Sequence, residues 1–100
     1  MTTFLIDEDR LEIASEVLRA LAHDLRLRLL AFIDQNEKVN VNKIYNTLGL
    51  EQSITSQHLR ILRLANLVKT QRDGKQIFYS VNYDNVEQLL VAVKKFLANS

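Results

Sequence analysis

Ser53-Ile54-Thr55-Ser56-Gln57-His58-Leu59-Arg60-Ile61-Leu62-Arg63 puts hydroxyls, amides and guanidiniums on one face of a helix and aliphatic side chains on the other. Ser53, Ser56, Arg60 and Arg63 are spaced by three, four and three residues, which aligns them on one side of a 3.6-residue period. Gln52, Thr55 and Gln57 flank that row, and His58 lies at its edge near the packing seam. Ile54, Leu59, Ile61, Leu62 and Ala65 are expected to pack inward. Ser, Thr and Gln offer donors and acceptors to base edges, and Arg binds guanine bidentately. Such a helix, spanning about Gln52–Ala65, suits a DNA groove; it also suits the exposed face of an ordinary core helix.

The residues on either side decide between those uses. Upstream, the polar break Asn36-Glu37-Lys38 precedes a short helix over about Val41–Leu48, with Val41, Ile44, Tyr45 and Leu48 inward. Gly49 can take the left-handed conformation that ends it, and Leu50 can turn back onto the core. Two helices joined by a short glycine-containing turn form a helix-turn-helix. Downstream, Asn66 tolerates the positive φ wanted at a helix end. Val68–Arg72 and Lys75–Val81 then read as strands joined at Asp73-Gly74, a strong hairpin signal. Arg72 and Lys75 flank that tip and Gln76 follows, so the ribbon can lie along a phosphate backbone or enter a minor groove. The other reading is an edge hairpin kept soluble by its charges.

The remaining pattern is helical. Over about residues 8–22, Leu11, Ala14, Leu18 and Leu21 recur at helical spacing, with a second stripe of Ile13, Val17 and Ala20. His23-Asp24 interrupts, with Asp24 a cap or first-turn acid for a helix to about Gln35 that buries Leu25, Leu29, Leu30 and Ile33. A last helix over about Asp84–Ala98 carries Val86, Leu90, Val93 and Leu97 on one stripe and Leu89 and Phe96 on another. The expected fold is mainly α with one small hairpin, in the order α-α-α-α-β-β-α. All 100 residues are expected in a single winged helix-turn-helix domain.

The net charge of +1 conceals a segregation. Residues 1–37 carry eight acids against four bases, residues 38–83 carry seven bases against two acids, and residues 84–100 balance at two of each. An anionic partner is therefore expected at the middle of the chain. Neither a membrane-spanning run nor a signal-peptide core is legible, so a cytoplasmic location is expected. The chain has no cysteine, which removes disulfides, thiolate ligands and thiol redox chemistry. No clustered His/Asp/Glu constellation or phosphate-cradling glycine loop suggests an enzyme; no catalytic residue, cofactor or metal site is expected.

The stretch from Leu21 to Val81 resembles the winged helix-turn-helix regulators of the ArsR/SmtB family. The matching signatures are Leu21-Ala22-His23 with Arg26-Leu27, then Ser53-x-x-Ser56-x-His58-Leu59-x-x-Leu62. They continue through Ala65-Asn66-Leu67-Val68, Arg72-Asp73-Gly74-Lys75 and Tyr79. The resemblance implies a homodimer joined through its first and last helices, binding a roughly palindromic operator and repressing transcription. Leu11, Ala14, Leu18, Leu89, Val93 and Phe96 are then the expected dimer contacts. The expected DNA contacts are Gln52, Ser53, Thr55, Ser56, Gln57, His58, Arg60, Arg63, Arg72, Lys75 and Gln76. Residues near the helix start, Gln52, Ser53, Ser56 and Gln57, are the expected base readers; Arg63, further along, is expected on phosphate.

This sequence departs from the family where the family senses its signal. The helix over about Asn40–Leu48 lacks the cysteines many members use. The positions resembling the Asp and His ligands of the last helix are Tyr83, Asn85, Phe96 and Asn99. Asp84 and Glu87 alone are a poor zinc set. Asn66 replaces the usual glycine, Asp24-Leu25 a proline-containing pair, and Glu51 a Ser-type helix cap. The alternative function is a winged-helix module that binds another protein and not nucleic acid.

Overall fold

Side-chain acceptors cap the starts of two helices in this chain, and residues with positive φ such as Gly49 and Asn66 follow helix ends. In the computed structural model, which describes residues 8–98, the order is α1 (Glu8–Leu21), α2 (Asp24–Asn36), β1 (Val39–Asn40) and α3 (Val41–Leu48). There follow α4 (Gln52–Leu64), β2 (Val68–Asp73), β3 (Gln76–Val81) and α5 (Tyr83–Ala98). The expected winged helix-turn-helix order is present, with one strand added.

His23, and not Asp24, caps α2: its Nδ1 accepts from the Leu25 amide at 3.1 Å, while Asp24 is the first helical residue. Asn40 caps α3 by accepting from the Lys43 amide at 2.8 Å. Glu51 stands at the start of α4 without a side-chain cap bond. Gly49 closes α3 at φ +66, its amide and that of Leu50 both donating to the Tyr45 carbonyl. Asn66 holds φ +59 after α4. Its carbonyl accepts from the side-chain amides of Asn82 and Asn85, which moors the hairpin exit to the entry.

The sheet is antiparallel in the order β1-β3-β2. β1, absent from the sequence reading, pairs Val39 with Tyr79 and Asn40 with Phe78. It is two residues long and its partner lies some forty positions away, so no local periodicity announces it. The hairpin tip also shifts by one. Asp73 pairs with Gln76, which leaves Gly74-Lys75 as the two-residue turn in place of Asp73-Gly74. Gly74 takes φ +64 and Lys75 has no positive φ, the pattern of a II′ turn with glycine first; Asp-Gly would have required two positive φ values.

Leu29, Leu30 and Ile33 of α2, Ile44 of α3, and Leu59 and Leu62 of α4 form the core with Leu67, Val68, Val81 and Val86. Tyr83 ties the start of α5 to the end of α2 by donating to Asp34 at 2.5 Å. That hydrogen bond, more than the burial and the carboxylates beside it, pushes the phenol up to about 12.

On α1 the two expected stripes do not separate cleanly. Ala20 and Leu21 are buried and Val17 packs on the core, whereas Leu11, Ile13 and Leu18 are 53–61% exposed and Ala14 is exposed too. The outward set therefore mixes the two rows. Leu89, Val93 and Phe96, the expected contacts on α5, lie outside the described side chains, as do Leu90 and Leu97. Val91, on the same helix, is 59% exposed.

Candidate nucleic-acid interface

The inward stripe of α4 is Thr55, Leu59 and Leu62, at i, i+4 and i+7, all with no exposed surface. This corrects two expectations. Thr55 is not on the exposed face: it is fully buried, and its hydroxyl donates to the Glu51 carbonyl at 2.8 Å. That bond satisfies the hydroxyl, so a polar residue occupies a core position without an orphaned group. Ile54, expected inside, is 41% exposed, because it lies a full 100° from Thr55 around the helix. Gln52, Ser53, Ser56, Gln57, Arg60 and Arg63 are all exposed, so the polar row survives the correction.

The wing brings a second group of side chains to the start of that helix. A groove of about 240 Å³ is lined by Asn40, Val41 and Asn42 at the start of α3, Gln52 of α4, and Lys75, Gln76 and Ile77 of the wing. Gln52 of the helix and Lys75 and Gln76 of the hairpin, which the sequence places on two different elements, share this groove. Arg72 is exposed on β2 opposite Ile77, one pair further from the turn. Lys75 sits in the turn itself, so the cation is the extreme of the ribbon. Asn40 and Asn42 were missed by sequence reasoning; the polar Asn-Val-Asn at a helix start was the available signal.

Toward the sheet, Arg63 lies close enough to Tyr79 to act on its phenol. Burial pushes Tyr79 up, and the Arg63 charge partly opposes that rise. At the helix C-terminal end Leu64 is 64% exposed, and with Ile61 and Ala65 it lines a shallow groove against Glu16, Arg19 and Ala20 of α1.

His58, at the edge of the row near the packing seam, makes a structural contact. Its ring is half-buried, and Arg26 Nη1 lies 3.2 Å from its Nδ1. The His23 ring lies beside it, centroids 4.6 Å apart. Desolvation first, then the neighbouring His23 and Arg26, hold the imidazole below its ordinary value of 6.5. With Nδ1 beside Arg26, Nε2 is the ring nitrogen left to meet any further partner. Arg26 continues inward, its Nε donating to the Ala20 carbonyl at 2.6 Å and Nη2 to that of Arg19 at 3.1 Å. No sequence periodicity signals these contacts, whose partners lie 6, 7 and 32 residues away.

Among the described residues no group of three or more His, Cys, Asp or Glu could hold a metal. No described helix is long and apolar enough to cross a membrane.

Residues 23–70 match the sequence profile of the bacterial regulatory protein, arsR family. The transcriptional repressor PagR of Bacillus anthracis is 36% identical over 93 residues, covering 90% of this chain and 93% of PagR. Among solved structures, NolR from Sinorhizobium fredii superposes with a TM-score of 0.80 at 38% identity, covering 95% of this chain and 96% of NolR. The homodimeric winged helix-turn-helix DNA-binding domain Mb0332 from Mycobacterium bovis gives 0.82 at 25% identity, covering 95% and 91%.

Proposed function

Because this chain belongs to the arsR family of bacterial regulatory proteins, and is thus a transcriptional regulator and not an enzyme, we propose how it acts: it binds double-stranded DNA as a homodimer and represses transcription from a roughly palindromic operator. The observation that carries this reading is the exposed row of α4 beside the wing groove. Gln52, Ser53, Ser56, Gln57 and Arg60 then face base edges, with Gln52 and Ser53 in the first turn, the part of a recognition helix that enters the major groove deepest. Arg63, Arg72, Lys75 and Gln76 hold backbone or minor groove on either side. The net excess of five bases over residues 38–83 supports the same placement.

Leu11, Ala14 and Leu18 of α1, with Leu89, Val93 and Phe96 of α5, form the dimer contact in this reading, and the whole chain acts as one cytoplasmic DNA-binding domain. The exposure of Leu11 and Leu18 supports it, since isolated chains rarely leave several large aliphatics of one helix in water. No metal is needed for DNA binding.

A salt titration of duplex binding tests the proposal. Each phosphate neutralised lowers the logarithm of affinity by about 0.9 per decade of salt, so the three cations Arg63, Arg72 and Lys75 of each protomer give a steep fall. Undetectable binding to any duplex at low salt would favour the protein-interaction module instead.

A further inference from the structure

We propose that Arg26 is the positioning residue of the reading helix, joining the C-terminal turn of α1 to His58 on α4 through a single guanidinium. The inference rests on the DNA-binding reading above and adds to it what sets the angle of α4. Three helices meet at this side chain. Two of its nitrogens donate to the carbonyls of Arg19 and Ala20 in the last turn of α1, the Arg19 carbonyl also accepting from the Ala22 amide at 3.2 Å. The third donates to His58 Nδ1. The His58 ring in turn lies against His23, whose own Nδ1 is occupied in capping α2.

The consequence is mechanical. α1 carries the outward aliphatics proposed for the dimer contact, and α4 carries the base readers. A guanidinium is planar with fixed donor directions, so it transmits the orientation of one helix end to the other. A loose link leaves phosphate contacts intact, because these are forgiving in direction. Base-edge contacts are not forgiving, so selectivity is what is lost.

The link also depends on protonation. His58 accepts from Arg26 only while Nδ1 is unprotonated, and the His23 cap likewise requires a free Nδ1. Among the described residues, the charged and titratable groups facing His58 are His23 and Arg26 from the α2 side, and α1 contributes carbonyls to Arg26. A proton on His58 puts a donor and a positive charge opposite a guanidinium. Acid should therefore reduce selectivity even as it adds a positive charge near DNA.

The test uses the duplex that the wild-type chain recovers from a random pool and a scrambled duplex of the same composition. The ratio of the two affinities is measured from about pH 7.5 to about 5.5, roughly the imidazole range. Wild type should lose selectivity toward the acid end. Arg26→Met should lower the ratio about tenfold at pH 7.5 with scrambled-duplex affinity little changed, and Arg26→Lys should recover part of it. His58→Asn, which keeps an acceptor near the Nδ1 position and cannot titrate, should hold the ratio and flatten the pH profile. The His58 variant alters a half-buried position only, so it remains informative if Arg26→Met does not fold. Wild-type selectivity in folded Arg26→Met, or a wild-type pH profile in His58→Asn, overturns the proposal while leaving DNA binding in place. A wild-type chain that binds no duplex overturns both.

Discussion

Arg60 and Lys75 are both exposed cations of the proposed DNA face, but they differ in what holds them. Arg60 projects from a helix packed on the core, so its guanidinium has a defined direction. Removing it in Arg60→Ala should cost about 1–3 kcal/mol on the preferred duplex and relax preference at one base position. Equal losses on preferred and random DNA would make it a phosphate clamp. Lys75 sits in a two-residue turn, where direction is loose. Lys75→Ala should weaken every duplex alike and reduce the salt slope by about one contact, measured by titrating both duplexes. His58 adds a stability effect. Its folded value lies below 6.5, so the contribution of the neutral ring is complete above that value and is lost as pH falls toward the lowered value. Thermal midpoints should fall below about pH 6.5 in wild type and fall less in His58→Asn. Residue identity on α4 was mostly legible in the sequence, since polar spacing alone marks the exposed row. Thr55 and Ile54 exchanged places because a threonine bonded to the preceding turn can occupy a core stripe, which composition does not reveal.

At the scale of elements, punctuation carried more information than periodicity. Gly49 and Asn66 end their helices in the left-handed region, as their residue types imply. A Cβ at Gly49 would meet nothing within 4 Å, so the cost of substituting it is purely backbone. Gly49→Ala should therefore lower stability by about 1–2 kcal/mol and the melting midpoint by several degrees, without creating a steric clash. An unchanged midpoint would show that the α3–α4 turn tolerates another geometry. What the sequence hid at this scale is non-local. β1 exists only because β3 pairs with it, and the hairpin turn was displaced by one residue because glycine took the first turn position. The displacement matters for function, since it moves Lys75 from beside the turn into it.

For the whole molecule, the account depends on two copies acting together. The outward Leu11, Ile13 and Leu18 are left exposed by the described residues, and in the proposed reading one α4 contacts only one half of a palindrome. Leu18→Asp should shift sedimentation from dimer to monomer and weaken binding to the preferred duplex, while circular dichroism stays helical. A wild-type chain that sediments as a monomer at micromolar concentration would count against the interface. The order of elements was readable from sequence, but how two copies join was implied only by the family resemblance. Apolar stripes mark what wants burial, not what buries it. The most direct measurement is selection of bound duplexes from a random pool by the wild-type chain. The account predicts an inverted repeat with half-site centres about one helical turn, roughly 34–36 Å, apart. Recovery of no enriched sequence, or of an asymmetric single site, would contradict it.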